Sequence, residues 1–166
     1  MKKKDFLWLL AYPVYQVVGT VRHEGSHALA AMAEGAKVTK FVVWPTFDYG
    51  RFHWGYVEWQ GPTTWFFDAA PYFCDLLICF IALLVILEAK PKPRWLWLNI
   101  LIIGVVSPLV NSANAYIRGL RGFGDVGYLV HQLNPVAVHL YFALTLLFYA
   151  WGLYYCYFRK RTWHPK

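Results

Sequence analysis

The sequence predicts an all-α polytopic membrane protein of about four transmembrane helices, with a small β-hairpin or sheet after the first helix. Hydrophobic residues make up 58% of the 166 and charged residues only 15%, against about 25% charged in ordinary soluble domains. Four apolar runs stand apart along the chain, each suited to a membrane-crossing helix. Between the first two lies a stretch of different character, rich in β-branched and aromatic residues and broken by turn formers. No repeat, low-complexity segment or long polar linker divides the chain, so residues 1–166 read as a single integral membrane domain.

The first run, Phe6 to Val21, carries no charged residue and follows a lysine cluster. A basic start and an apolar run also describe a secretory signal peptide, but no small-residue cleavage site follows, which favours an uncleaved span. The helix is expected to bend at Pro13 and to continue through Ala28 to Ala33 before stopping at Glu34-Gly35, where glycine suits a C-terminal cap. Val38 to Trp44 and Phe52 to Trp59 then read as strands separated by Pro45 and Asp48-Tyr49-Gly50. Phe52, Trp54 and Tyr56 alternate with His53, Gly55 and Val57, which would make one face aromatic and the other nearly bare. Such a strand could pair with an extended substrate or form an interfacial aromatic belt. Three further spans follow: Ala69 to Leu87 with Asp75 inside it, Trp95 to Ile117, and Val136 to Phe158. A glycine-rich connection, Arg118 to Asn134, joins the last two. Asn111 and Asn114 need hydrogen-bond partners in an apolar setting and are expected to point inward.

One polar cluster stands out near the end of the first run: His23-Glu24-Gly25-Ser26-His27. Histidines four apart lie one above the other on a helix face, so both rings can reach one divalent metal, with Glu24 beside them to take a proton from water. The bland alternative is a satisfied polar cluster holding helices together. A zinc site of this kind needs one more donor, and Asp68, Asp75, Asp125, His53 and His131 are the candidates. Membrane depth favours Asp68 and Asp125, with Asp75 about two turns deeper than Asp68. Gly124 and Gly127 flank Asp125 and would let its backbone come close to a metal, whereas the competing role for Asp125 is to N-cap a short helix from Val126.

The segment H-E-G-S-H-A-L-A-A-M-A-E-G-A-K-V, His23 to Val38, resembles the H-E-x-G-H-A-L motif and following helix end and strand of the site-2 protease family of intramembrane zinc metalloproteases. Gly124-Asp125-Val126-Gly127 is similar to that family's Asp-Gly ligand segment, and the order of helix, β segment and two spans fits over residues 6 to 135. Gly25-Ser26 departs from the family's bulky residue and glycine, and Ala70 to Asp75 matches its G-P-x-x-N stretch only loosely. The resemblance implies Zn2+ held by His23, His27 and Asp125, Glu24 as general base, and a membrane-spanning protein segment as substrate, cleaved at a peptide bond in or near the bilayer. Asn111 and His131 are candidates for stabilising the oxyanion.

The alternative is a catalytically inactive relative that serves as a binding or regulatory partner; the intact Glu24 argues against it. A di-iron desaturase would need several histidine boxes, and His53, His131, His139 and His164 are scattered singly. The net charge of +7 does not point to nucleic acid, because the basic residues cluster at the ends of apolar runs, as membrane orientation signals do. Those signals place both termini in the cytoplasm and the motif near the outer face of a cell or inner membrane, whereas the resemblance implies a site toward the cytoplasm. Cys74, Cys79 and Cys156 lie in apolar runs without ligand spacing and read as reduced packing residues.

Overall fold

The computed structural model describes residues 10–48 and 50–159. Its elements run α1 (Tyr12–Ala33), β1 (Lys37–Val42), β2 (Thr46–Asp48), β3 (Arg51–His53), β4 (Tyr56–Gln60), α2 (Trp65–Leu84), α3 (Arg94–Leu101), α4 (Ser107–Gly119), α5 (Gly124–Gln132) and α6 (Pro135–Leu153). A π-helical stretch, Ile102–Val106, fuses α3 and α4 into one rod, and further π turns extend α2 to Ala89 and α6 to Arg159. The predicted helical fold with a small antiparallel β element after the first helix is therefore present.

The number of spans differs from the expectation. Among the described residues three helices are long and apolar enough to cross a membrane, Trp65–Ala89, Arg94–Gly119 and Pro135–Phe158, and not four. The helix that falls short is α1, whose apolar character is diluted by Gln16, Arg22, His23, Glu24 and His27; the start of the expected first span, at residues 6–9, lies outside the described residues. Pro13 does not bend α1. It stands in the first helical turn, where its missing N–H removes a donor that has no intrahelical partner anyway. The C-terminus matches the reading, with Glu34 as cap and Gly35 at φ 86°. The last span exposes Leu140, Leu144, Leu147, Trp151, Tyr154 and Phe158 at helical spacing, an apolar face that suits lipid and not water.

The β segment is one long hairpin in two pieces. β1 pairs antiparallel with β4, Val42 opposite Tyr56, and beyond a break β2 pairs with β3, Phe47 opposite Phe52. The expected unbroken strand from Phe52 to Trp59 is interrupted at Trp54-Gly55, so its alternation does not run through. Lys40 on β1 reaches Asp48 at 3.0 Å, and the Tyr56 hydroxyl donates to the same carboxylate, which ties the two pieces together.

The two largest apolar clusters lie apart. Cys79, Ile86, Trp97, Val105, Tyr149 and Cys156 form the core shared by the three candidate spans. Tyr72, Val126, Leu129 and Phe142 form a second, which seats α5 against α2 and α6. Cys79 and Cys156 are buried and all three cysteines are free thiols, as their setting predicted. The glycine-rich connection is largely helical, because Val126 and Leu129 fall on the face of α5 that enters this second core.

Candidate metal centre

Histidines 23 and 27 lie one turn apart on α1, with ring centroids 4.9 Å apart. Asp125 is the second residue of α5, and its Oδ2 is 3.3 Å from His23 Nε2 and 3.5 Å from His27 Nε2. One ligand atom from each of the three residues falls within 4.8 Å of the other two. Asp125 is not the helix cap: Phe123 occupies that place and no side chain caps α5. The neighbouring glycines also act differently from the expectation. Gly124, at φ 71°, makes the turn into α5, and a Cβ on Gly127 would meet the Gly122 backbone at 2.7 Å, so they fold the connection on itself.

Local chemistry fixes the proton on one of these rings. His27 Nδ1 is 2.9 Å from the Phe67 carbonyl oxygen, which can only accept, so Nδ1 carries the hydrogen and donates it. The lone pair of a neutral His27 is then on Nε2, facing Asp125. That carbonyl is free because residue 71, four positions along α2, is a proline and has no N–H to donate. A histidine whose far nitrogen donates to a backbone carbonyl while its near nitrogen faces a carboxylate is the usual arrangement around a divalent metal. Two imidazoles and a carboxylate are also a donor set that suits zinc. The residues present therefore fit the group.

Electrostatics agree with a charged Asp125. Burial would raise its pKa, but hydrogen bonds and charge from His23 and His27 hold it well below the usual carboxylate range. Burial would lower His23, and the Asp125 carboxylate outweighs it and raises the ring. Tyr72 donates its hydroxyl to Asp125 Oδ2 at 3.0 Å. Glu24 projects from the same turn of α1 into the walls of two cavities, of about 510 and 330 Å³, that share His23, Asn111 and Arg118. Burial raises the Glu24 carboxyl above its ordinary value, as a proton acceptor in such a cleft needs.

The other candidates are placed elsewhere. Asp75 is fully buried and forms an ion pair with Arg22, Nε to Oδ1 at 2.6 Å, while its other oxygen accepts from Asn111 Nδ2 at 2.8 Å. Asp68 lines the smaller cavity and lies 3.5 Å from Gln132 Nε2. His53 lines the larger cavity. His131 is exposed and lines neither, which removes it as an oxyanion donor. Asn111 does point inward, with Nδ2 also 3.3 Å from His23 Nδ1. The sequence reading missed Arg22 and Tyr72. A signal for Tyr72 was present: Asp68, Tyr72 and Asp75 share one face of an otherwise apolar helix.

No family model, curated protein or solved structure matches this chain.

Proposed function

We propose that this chain is an intramembrane zinc metalloendopeptidase of the site-2 protease type, cleaving a peptide bond in or near a transmembrane segment of a membrane protein. The observation that carries the reading is the convergence of His23, His27 and Asp125 from two separate helices, with Glu24 beside them in an open cleft. His27 would hold zinc through Nε2, His23 through its imidazole ring, and Asp125 through its carboxylate. When bound, zinc polarises the scissile carbonyl and lowers the pKa of a water toward about 7. Glu24 accepts the proton of the attacking water and returns it to the leaving amine. Tyr72 and the Phe67 carbonyl keep the Asp125 and His27 side chains aimed at the centre. The multi-pass membrane setting rests on the three apolar helices and the exposed apolar face of the last.

Metal analysis of the purified chain beside its Glu24→Gln variant tests this reading. About one zinc per chain is expected in both, with cleavage of a membrane-segment substrate lost only in the variant, since the glutamate is not a ligand. Cleavage persisting in Glu24→Gln would defeat the mechanism. Zinc without cleavage in the unaltered chain would point to a binding or regulatory partner instead.

A further inference from the structure

The two cavities that meet at Glu24 differ in charge. The smaller is lined by three carboxylates, Glu24, Asp68 and Asp125. Arg118 lines both; the larger has Glu24 as its one carboxylate and adds the guanidinium of Arg51 and the ring of His53. Neither arginine forms an ion pair with a carboxylate among the described residues. His53 supplies the second, independent observation: its Nε2 is buried and has no hydrogen-bond partner. Buried polar atoms in native proteins are normally satisfied, and this ring, which also lines the larger cavity, carries a nitrogen that no described residue meets.

The sequence explains why the hairpin reaches so far in. A Cβ on Gly55 would lie 2.5 Å from Thr20 Cγ2, 2.6 Å from the Val42 carbonyl oxygen and 3.2 Å from Glu24 Cγ. Only glycine lets this turn close onto α1, and the closure brings the hairpin's Arg51 and His53 into the lining of the cavity that Glu24 also lines. Arg118 lies at the end of the rod Arg94–Gly119, and the cavity runs along that rod from Ile102 to Arg118, from its apolar part to its polar end.

We propose that the larger cavity is a subsite for a side-chain carboxylate of the substrate, an Asp or Glu on the polar flank of the cleaved segment, held by Arg51, Arg118 and His53. This rests on reading the chain as a peptidase. Both guanidiniums are donors only, and arginine matches a carboxylate with planar, charge-assisted hydrogen bonds, while the His53 ring adds a third polar group to the lining. The subsite would select substrates by charge beside the scissile bond, while the aromatic and apolar walls select for a membrane segment.

The test uses the zinc-loaded full chain carrying Glu24→Gln, in detergent, so that binding is read without turnover. Fluorescent peptides with a Glu, Gln or Lys stepped through positions along one apolar sequence are titrated by anisotropy. At one position the Glu peptide is expected to bind about tenfold more tightly than the Gln peptide, the worth of a charged hydrogen bond. Adding Arg51→Gln and Arg118→Gln should erase the difference, Arg118→Glu should turn the preference toward Lys, and His53→Ala should weaken it; zinc content reports that each variant is folded. Equal binding of Glu and Gln peptides at every position overturns the proposal. So does arginine-dependent binding of phosphatidylglycerol vesicles without peptide discrimination, which would make the cavity a lipid phosphate site. Charge discrimination in this variant together with no cleavage by the unaltered chain would leave the subsite standing and remove only the hydrolase reading.

Discussion

Asp75 and Asp125 both sit in the polar interior of a largely apolar protein, yet their surroundings give them opposite characters. Asp75, with a side chain 1% exposed, faces Arg22, a permanent cation that also donates to the Ile103 carbonyl and the Ser107 hydroxyl. Its charge is compensated by the chain itself. Asp125, with a side chain 28% exposed, faces two imidazoles whose charge is conditional, across gaps of 3.3 and 3.5 Å at the edge of a cavity. The difference separates the two roles: a carboxylate with a fixed cation has nothing left to bind, whereas one that faces imidazoles at a cavity edge has the donor set that a metal would need.

The sharpest way to break the comparison is to neutralise each carboxylate in turn. Asp125→Asn is expected to drop bound zinc well below one equivalent and to abolish cleavage; stoichiometric zinc in that variant, read by elemental analysis, would return the third ligand to Asp68 or Asp75. For Asp75 the expected loss is stability and not metal. Arg22→Met strands a buried charge and should cost about 3 to 5 kcal/mol in denaturant unfolding, whereas Arg22→Met with Asp75→Leu should recover most of it. A single variant as stable as the parent would show that the pair is not a structural unit. Tyr72→Phe is subtler: it removes one hydroxyl from Asp125 and should weaken zinc binding roughly tenfold in chelator competition, with little change in the unfolding midpoint. The smallest effect is expected at Asp68, where Asp68→Asn touches only a long contact to Gln132 and should shift stability by less than about 0.5 kcal/mol and leave zinc unchanged.

What was legible in the sequence was mostly local. A four-residue spacing on a helix places His23 and His27 together wherever the helix goes, and three of the four apolar runs expected to span do form helices long and apolar enough to cross a membrane. Asp125 could be singled out from its flanking glycines and chain order, although those glycines serve the turn and not the metal. Contacts between distant residues left no such trace. Arg22 with Asp75, and Tyr72 with Asp125 across 53 positions, are decided by how α1, α2 and α5 dock. The shortfall of α1 as a span has a related cause: the residues that make it interesting also make it polar.

The two prolines within the packed helices have a consequence for the energetics of ligand capture. Pro71 leaves the Phe67 carbonyl open for His27, and Pro108 does the same for Ile103, whose carbonyl would meet residue 108 in the π-helical pattern that joins Ser107 N–H to Ile102. Each backbone acceptor released by an imino acid is taken by a side chain of the motif helix. His27 and Arg22 are thereby tied to neighbouring backbone by the fold itself, so a ligand would not have to order them. The proposed site would thus be preorganised: the entropy of ordering these side chains is spent during folding, before any ligand arrives.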